Sequence, residues 1–173
     1  MLERRTIRLP REQYAGASWF FVTICCRERQ LFFADSAKAL RVENLLRATA
    51  RKQGFLVHAW CIMPDHVHLL VKGDNERCDL LRFVVTFKQA TALDLSREFG
   101  VHLWQRSFYD YRLRRDDEVS RVAAYIWMNP VRCGLCSEPA AYQFSGSFTC
   151  PWKRHLEIRQ TWSPPWKTGI GRA

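Results

Sequence analysis

Two apolar runs separated by a two-residue break constrain this chain more than any other feature. Phe55 to Met63 and His66 to Lys72 are rich in aromatic, β-branched and other apolar residues, and only Pro64-Asp65 lies between them. So short a connection joins antiparallel neighbours, because a parallel pair needs a crossover of about a dozen residues or more. The chain must build an antiparallel sheet around this pair.

The flanking segments complete the plan. Trp19 to Cys26 has strand character and is ended by Arg27-Glu28-Arg29. Ala39, Val42, Leu45, Leu46 and Thr49 recur at helical spacing, so the pattern predicts a helix from a Ser36 cap to about Gln53, stopped by Gly54. Asp79 caps a second helix to about Phe99, with Leu80, Val84, Phe87 and Thr91 turned inward. Val101 to Trp104 reads as a short fourth strand, and residues 105–115 as irregular. Asp116 or Asp117 opens a third helix to about Asn129, which Pro130 terminates. The order β-α-β-β-α-β-α is met by an α+β fold with one antiparallel sheet and helices on one face, the ferredoxin-like split βαβ arrangement. Residues 1–15 read as a loose basic arm. Pro151, Pro164 and Pro165 mark residues 149–173 as a basic, Trp-containing tail beside a domain at 1–148.

Charge bears on the partner. Twenty-seven Lys and Arg face 17 Asp and Glu, a net charge of +10. Such an excess attracts nucleic acid, anionic membranes or acidic proteins, and does not choose among them. No apolar run approaches the roughly 20 residues a membrane helix needs. The start, Met1-Leu2-Glu3-Arg4-Arg5, is no secretory signal, so a cytoplasmic, nucleoid-associated protein with reduced thiols is expected. Of the seven cysteines, Cys25, Cys26, Cys61 and Cys78 lie among apolar residues and read as core. Cys133 and Cys136 have dithiol spacing but follow a helix end, and no second such pair completes a zinc site.

His66-Val67-His68 carries the first chemistry. Strand alternation points both imidazoles to one face and Val67 to the other, making half of a divalent-metal site on a rigid strand. Two histidines alone are weak evidence for a metal. Tyr125 and Asn129, four apart, share a helix face beside the apolar stripe Val119, Val122, Ala123 and Ile126. A tyrosine phenol can act as a covalent nucleophile when a metal polarises its target phosphate. Asn129 offers an amide carbonyl oxygen as a third metal ligand, or a phosphate contact.

These segments resemble a known family. The run from His58 through Pro64-Asp65-His66-Val67-His68 to Val71 looks like the core of single-tyrosine HUH transposases, U being a hydrophobic residue, here Val67. Trp104 to Tyr111 and Tyr125 to Leu135 resemble the branch of REP-associated tyrosine transposases, over about residues 14–148. The resemblance implies a single-strand DNA endonuclease and strand transferase acting on hairpin, palindromic DNA. It implies Tyr125 as a nucleophile that forms a 5′-phosphotyrosine link, and Mg²⁺ or Mn²⁺ held by His66, His68 and Asn129. It leaves open a monomer or a homodimer.

Tyr109 and Tyr111, flanked by Arg106 and Arg112, are rival nucleophiles. For DNA contact, the cluster Arg106, Arg112, Arg114 and Arg115 is favoured, joined by Arg82 and Lys88 of the second helix. The tail, with Trp152, Trp162, Trp166 and Lys167, is expected to pack across the active-site face. A non-catalytic nucleic-acid-binding module fits the same charge and fold. So does a phosphodiesterase that uses water in place of Tyr125.

Overall fold

The computed structural model describes residues 9–99, 102–114, 118–156 and 162–168. A five-stranded antiparallel sheet has the order β4-β1-β3-β2-β5, with β1 Trp19–Cys25, β2 Phe55–Met63, β3 His66–Gly73, β4 Tyr109–Arg112 and β5 Ser145–Gly146. The tight β2–β3 pair sits next to β1 as its turn dictates, with Met63 opposite His66. Helices α1 Ser36–Gln53 and α2 Leu80–Phe99 are the two crossover helices, α3 is Glu118–Trp127, and the short α4 and α5 are Asn129–Arg132 and Pro165–Thr168. No helix among the described residues is long and apolar enough to cross a membrane.

Helices cover both faces of the sheet, where the sequence pattern placed them on one. Phe20, Val22, Ile24, Ile62, Val67 and Leu69 pack with α1 and α2. Phe21, Ala59, Cys61, Met63 and Leu70 pack with α3. Both faces of the central strands are apolar, so each needs a cover. Within β2 the inward set changes parity. Phe55 and Val57 join the α1/α2 face, then Trp60 and Ile62 do. A register shift between Val57 and Ala59 inserts His58 as an extra residue and makes this switch.

Local chemistry sets the helix ends. Asp35, not Ser36, caps α1: its carboxylate accepts from the N–H groups of Ala37 at 2.9 Å and Lys38 at 3.3 Å. Gly54 ends α1 at φ +71°, a conformation that favours glycine. Asp79 caps α2 as expected, accepting from Arg82 N–H at 3.1 Å. Pro130 starts α4 and does not merely stop α3, because the first helical turn has no use for its missing N–H. The fourth strand is Tyr109–Arg112. Of the expected strand at 101–104, Val101 lies outside the described residues and Trp104 makes only an isolated bridge to Cys26. The described part of the N-terminal arm is anchored: Tyr14 is buried and donates to Asp110 at 2.9 Å, and Arg11 pairs with Asp79 at 2.6 Å.

Candidate active site

The pleat of β3 puts His66, His68 and Leu70 on the α3 face, while Val67 enters the opposite core. On β1, Cys25, Thr23 and Phe21 stand opposite them. Both imidazoles are buried, and their Nε2 atoms approach to 3.0 Å. Each Nδ1 is engaged. That of His68 meets Thr23 Oγ1 at 2.8 Å, and that of His66 meets the Asp65 carboxylate. Arg29 Nε pairs with the other Asp65 oxygen at 2.9 Å. This pair and the hydrogen bond to His66 hold the Asp65 carboxyl below its ordinary range against burial, which acts to raise it. Burial foremost, then the positive neighbours His66, Lys167 and Arg132, holds His68 well below the ordinary imidazole value. It is therefore neutral, the form that ligates metal.

Helix α3 brings Tyr125 to this pair. Its ring lies 6.1 Å from that of His68 and edge-on to Phe21 at 5.8 Å. The hydroxyl is buried and has no hydrogen-bond partner among the described residues. Leaving such a group unpaired costs about 1–3 kcal/mol, which a partner reaching the hydroxyl would relieve. The tail covers the ring. Trp162 meets Tyr125 edge-on at 5.1 Å and Phe21 at 5.1 Å, and Lys167 lies 5.8 Å from the Tyr125 ring centroid.

Asn129 is buried one turn later. Its Nδ2 donates to the carbonyls of Tyr125 at 2.9 Å and Ile126 at 3.3 Å, which leaves Oδ1 as the atom able to face a cation. Among the described residues no three His, Cys, Asp or Glu side chains gather as a metal group. Two imidazoles with converging Nε2 atoms nevertheless fit a divalent ion whose remaining positions are filled by an amide, water or phosphate oxygen.

Arg132 escaped the sequence reading. Its guanidinium lies 4.2 Å over the Tyr125 ring, and Nη2 donates to the Tyr125 carbonyl at 2.7 Å. Its place within the motif after Tyr125 was the available signal. Tyr109 and Tyr111 stand opposite Thr23 and Phe21, hence on the same face but on the edge strand, with Tyr109 half exposed. Tyr111 donates to Glu118 at 3.4 Å.

The basic residues divide. Gln105 N–H donates to Cys25 carbonyl, so exposed Arg106 follows at the end of the sheet that holds His66. Arg112 binds Ser18 Oγ at 2.8 Å, Arg114 is exposed, and Arg115 lies outside the described residues. Arg82 and Lys88 ride on α2, across the sheet from Tyr125. Lys88 Nζ donates to the carbonyls of Gln105 at 2.6 Å and Arg106 at 2.9 Å, tying that loop to the helix.

Comparison with known proteins settles the family. The family described as "Transposase IS200 like" matches residues 17–129. The chain belongs to the IS200-like transposases. This transposase is 25% identical over 134 residues to the REP-associated tyrosine transposase of Escherichia coli (strain K12), covering 75% of this chain and 76% of that one. It also has the fold of a REP-associated tyrosine transposase solved bound to a REP hairpin, with a TM-score of 0.71 at 20% identity over 91% of this chain and 92% of that one.

Proposed function

We propose that this transposase cuts and rejoins single-stranded DNA flanking a hairpin, with Tyr125 as nucleophile. The observation that carries this reading is the Tyr125 hydroxyl, buried without a partner among the described residues and beside the converging Nε2 atoms of His66 and His68. Attack by the phenol oxygen on phosphorus forms the O–P bond and breaks the bond to the 3′ oxygen. The phenol proton is given up, and a proton is taken by the departing 3′-hydroxyl. The downstream strand stays on Tyr125 as a 5′-phosphotyrosine. The phosphodiester energy is kept in that link, so rejoining needs no nucleotide cofactor.

His66, His68 and the Asn129 amide would hold Mg²⁺ or Mn²⁺, which when bound polarises the scissile phosphate. The chain's own residues do the rest. Phe21 and α3 fix the Tyr125 ring. Arg132 sets positive charge over that ring and beside the incoming phosphate. Arg106, Arg112, Arg114 and Arg115 supply phosphate contacts, and Trp162 must withdraw before DNA reaches the hydroxyl. A binding module without catalysis shares the charge but gives no role to the unpaired phenol.

The test is a denaturing gel of end-labelled hairpin DNA incubated with Mg²⁺, Mn²⁺ or EDTA. The reading predicts a cation-dependent covalent adduct on the downstream fragment that Tyr125→Phe abolishes. An adduct that persists in Tyr125→Phe removes Tyr125 from the role.

A further inference from the structure

Helix α3 ends at Trp127, so Tyr125 stands on its last turn, where carbonyls need partners from outside the helical ladder. The ladder reaches as far as the Met128 N–H, which donates to the Ala124 carbonyl at 2.9 Å. It takes up again where the Arg132 N–H donates to the Met128 carbonyl at 3.0 Å. The carbonyls of Tyr125 and Ile126 fall between. The helical donor to Ile126, four residues on, is Pro130, which has no N–H. Two side chains fill the gap. Asn129 Nδ2 carries two N–H bonds and donates to the Tyr125 carbonyl at 2.9 Å and to the Ile126 carbonyl at 3.3 Å. Arg132 Nη2 donates to the Tyr125 carbonyl at 2.7 Å.

The joint interrupts hydrogen bonding more than it turns the chain. Met128, between the two helices, has φ −80° and ψ −8°, still right-handed helical backbone. Asn129 is buried and Arg132 half-buried, so water competes little for their bonds. Arg132 also grips the far end of the same tyrosine, its guanidinium lying 4.2 Å from the centroid of the Tyr125 ring. Helix ends fray, and a nucleophile on a last turn would share that motion. Here the turn is tied down by side chains from the next helix. The tie matters because attack on phosphorus needs the phenol oxygen held in one place and direction.

We propose that Asn129 and Arg132 are positioning residues that splice α3 to α4 and so hold the Tyr125 phenol in place beside His68. The inference rests on Tyr125 as the nucleophile. It gives Asn129 a task apart from any cation: the amide nitrogen carries the splice, and the oxygen is the atom left for an ion. Asn129→Asp separates the two tasks. It keeps an oxygen suited to Mg²⁺ or Mn²⁺ and removes both donors. Pro130→Ala returns a backbone N–H to the Ile126 carbonyl and replaces part of the splice. Arg132→Lys keeps the charge but loses the planar fork that reaches carbonyl and ring together.

The experiment measures adduct formation on end-labelled hairpin DNA at saturating Mn²⁺ over a range of DNA concentrations. Beside it, hydrogen–deuterium exchange of the full metal-free chain reads the joint without any activity. Asn129→Asp should lower the rate at saturating DNA about 10–100-fold, the scale of a small misplacement of a reacting group, and leave the half-saturating DNA concentration unchanged. Exchange across residues 125–133 should quicken in the same variant. Adding Pro130→Ala should recover part of both the rate and the protection. Arg132→Lys should slow the same step, and it carries the test where Asn129→Asp does not fold. A parental rate in Asn129→Asp, a loss that comes only from weaker DNA binding, a slowed rate with parental exchange, or a double variant no better than Asn129→Asp overturns the proposal. A parent that forms no adduct overturns the nuclease reading alone, and the exchange measurement still decides whether the splice exists.

Discussion

Single residues decide the chemistry at this site through who faces whom across strands. His68 is the sharpest case. Its imidazole is neutral in the folded chain, chiefly through burial, whereas in the unfolded chain it titrates near the ordinary value of about 6.5. The folded state binds fewer protons below that value. His68 therefore contributes its full stability above about pH 6.5 and loses it as pH falls, by at most about 1.4 kcal/mol per pH unit. Urea unfolding of the metal-free protein at pH 7.5 and 5.5 should show a larger acid loss in the parent than in His68→Gln; equal losses would contradict this. Cys61 makes a second case. It is buried beside the same strand, and burial pushes its thiol up to about 12. At pH 8 a maleimide should label exposed Cys133 well before Cys61; mass mapping of the labelled peptides checks the order. His66, His68 and Tyr125 were legible in the sequence because period 2 and period 3.6 fix their faces. Thr23, Asp65 and Arg29 were not, because their contacts with the pair depend on the β1–β3 register and on where residues 26–33 meet the Pro64-Asp65 turn.

At the scale of elements, the sequence was most legible where pattern and punctuation agree. Strands β2 and β3 have the expected limits to within a residue, since Pro64-Asp65 leaves one way to connect them. Strand β4 was missed because Tyr-Asp-Tyr-Arg carries two charges and lies at a sheet edge. Pairing with β1 makes it a strand, not its own propensity. The bulge at His58 was invisible for a related reason: both faces of β2 are apolar, so a parity switch leaves no mark in the pattern. The packing of the tail across the active-site face, expected from its tryptophans, is present in its described part. Trp152 packs on Trp127 at 5.2 Å, and Trp162 lies against Tyr125. Trp162→Ala should uncover the phenol and raise the rate of adduct formation several-fold, read as the initial rate on a denaturing gel. A slower rate would make Trp162 a support of the ring and not its cover.

For the whole molecule, the +10 net charge gives attraction but no address. The fold supplies the address by separating Arg106, at the His66 end of the sheet, from Arg82 on the far-side helix α2. Removing one cation that neutralises a phosphate should flatten the dependence of log affinity on log salt by about 0.7 for single-stranded DNA. Arg106→Ala should show that change and Arg82→Ala none, in binding titrations at several salt concentrations. The reverse pattern would move the DNA path to the α2 face.

The central claim is that DNA becomes covalently attached to Tyr125. Mass spectrometry of tryptic and nuclease-treated adduct, formed with hairpin DNA and Mn²⁺, tests it most directly. The account predicts a nucleotide phosphate on the peptide containing Tyr125, with fragment ions placing it on that ring. Modification of Tyr109 or Tyr111 instead, or cleaved DNA with no modified peptide, would contradict it.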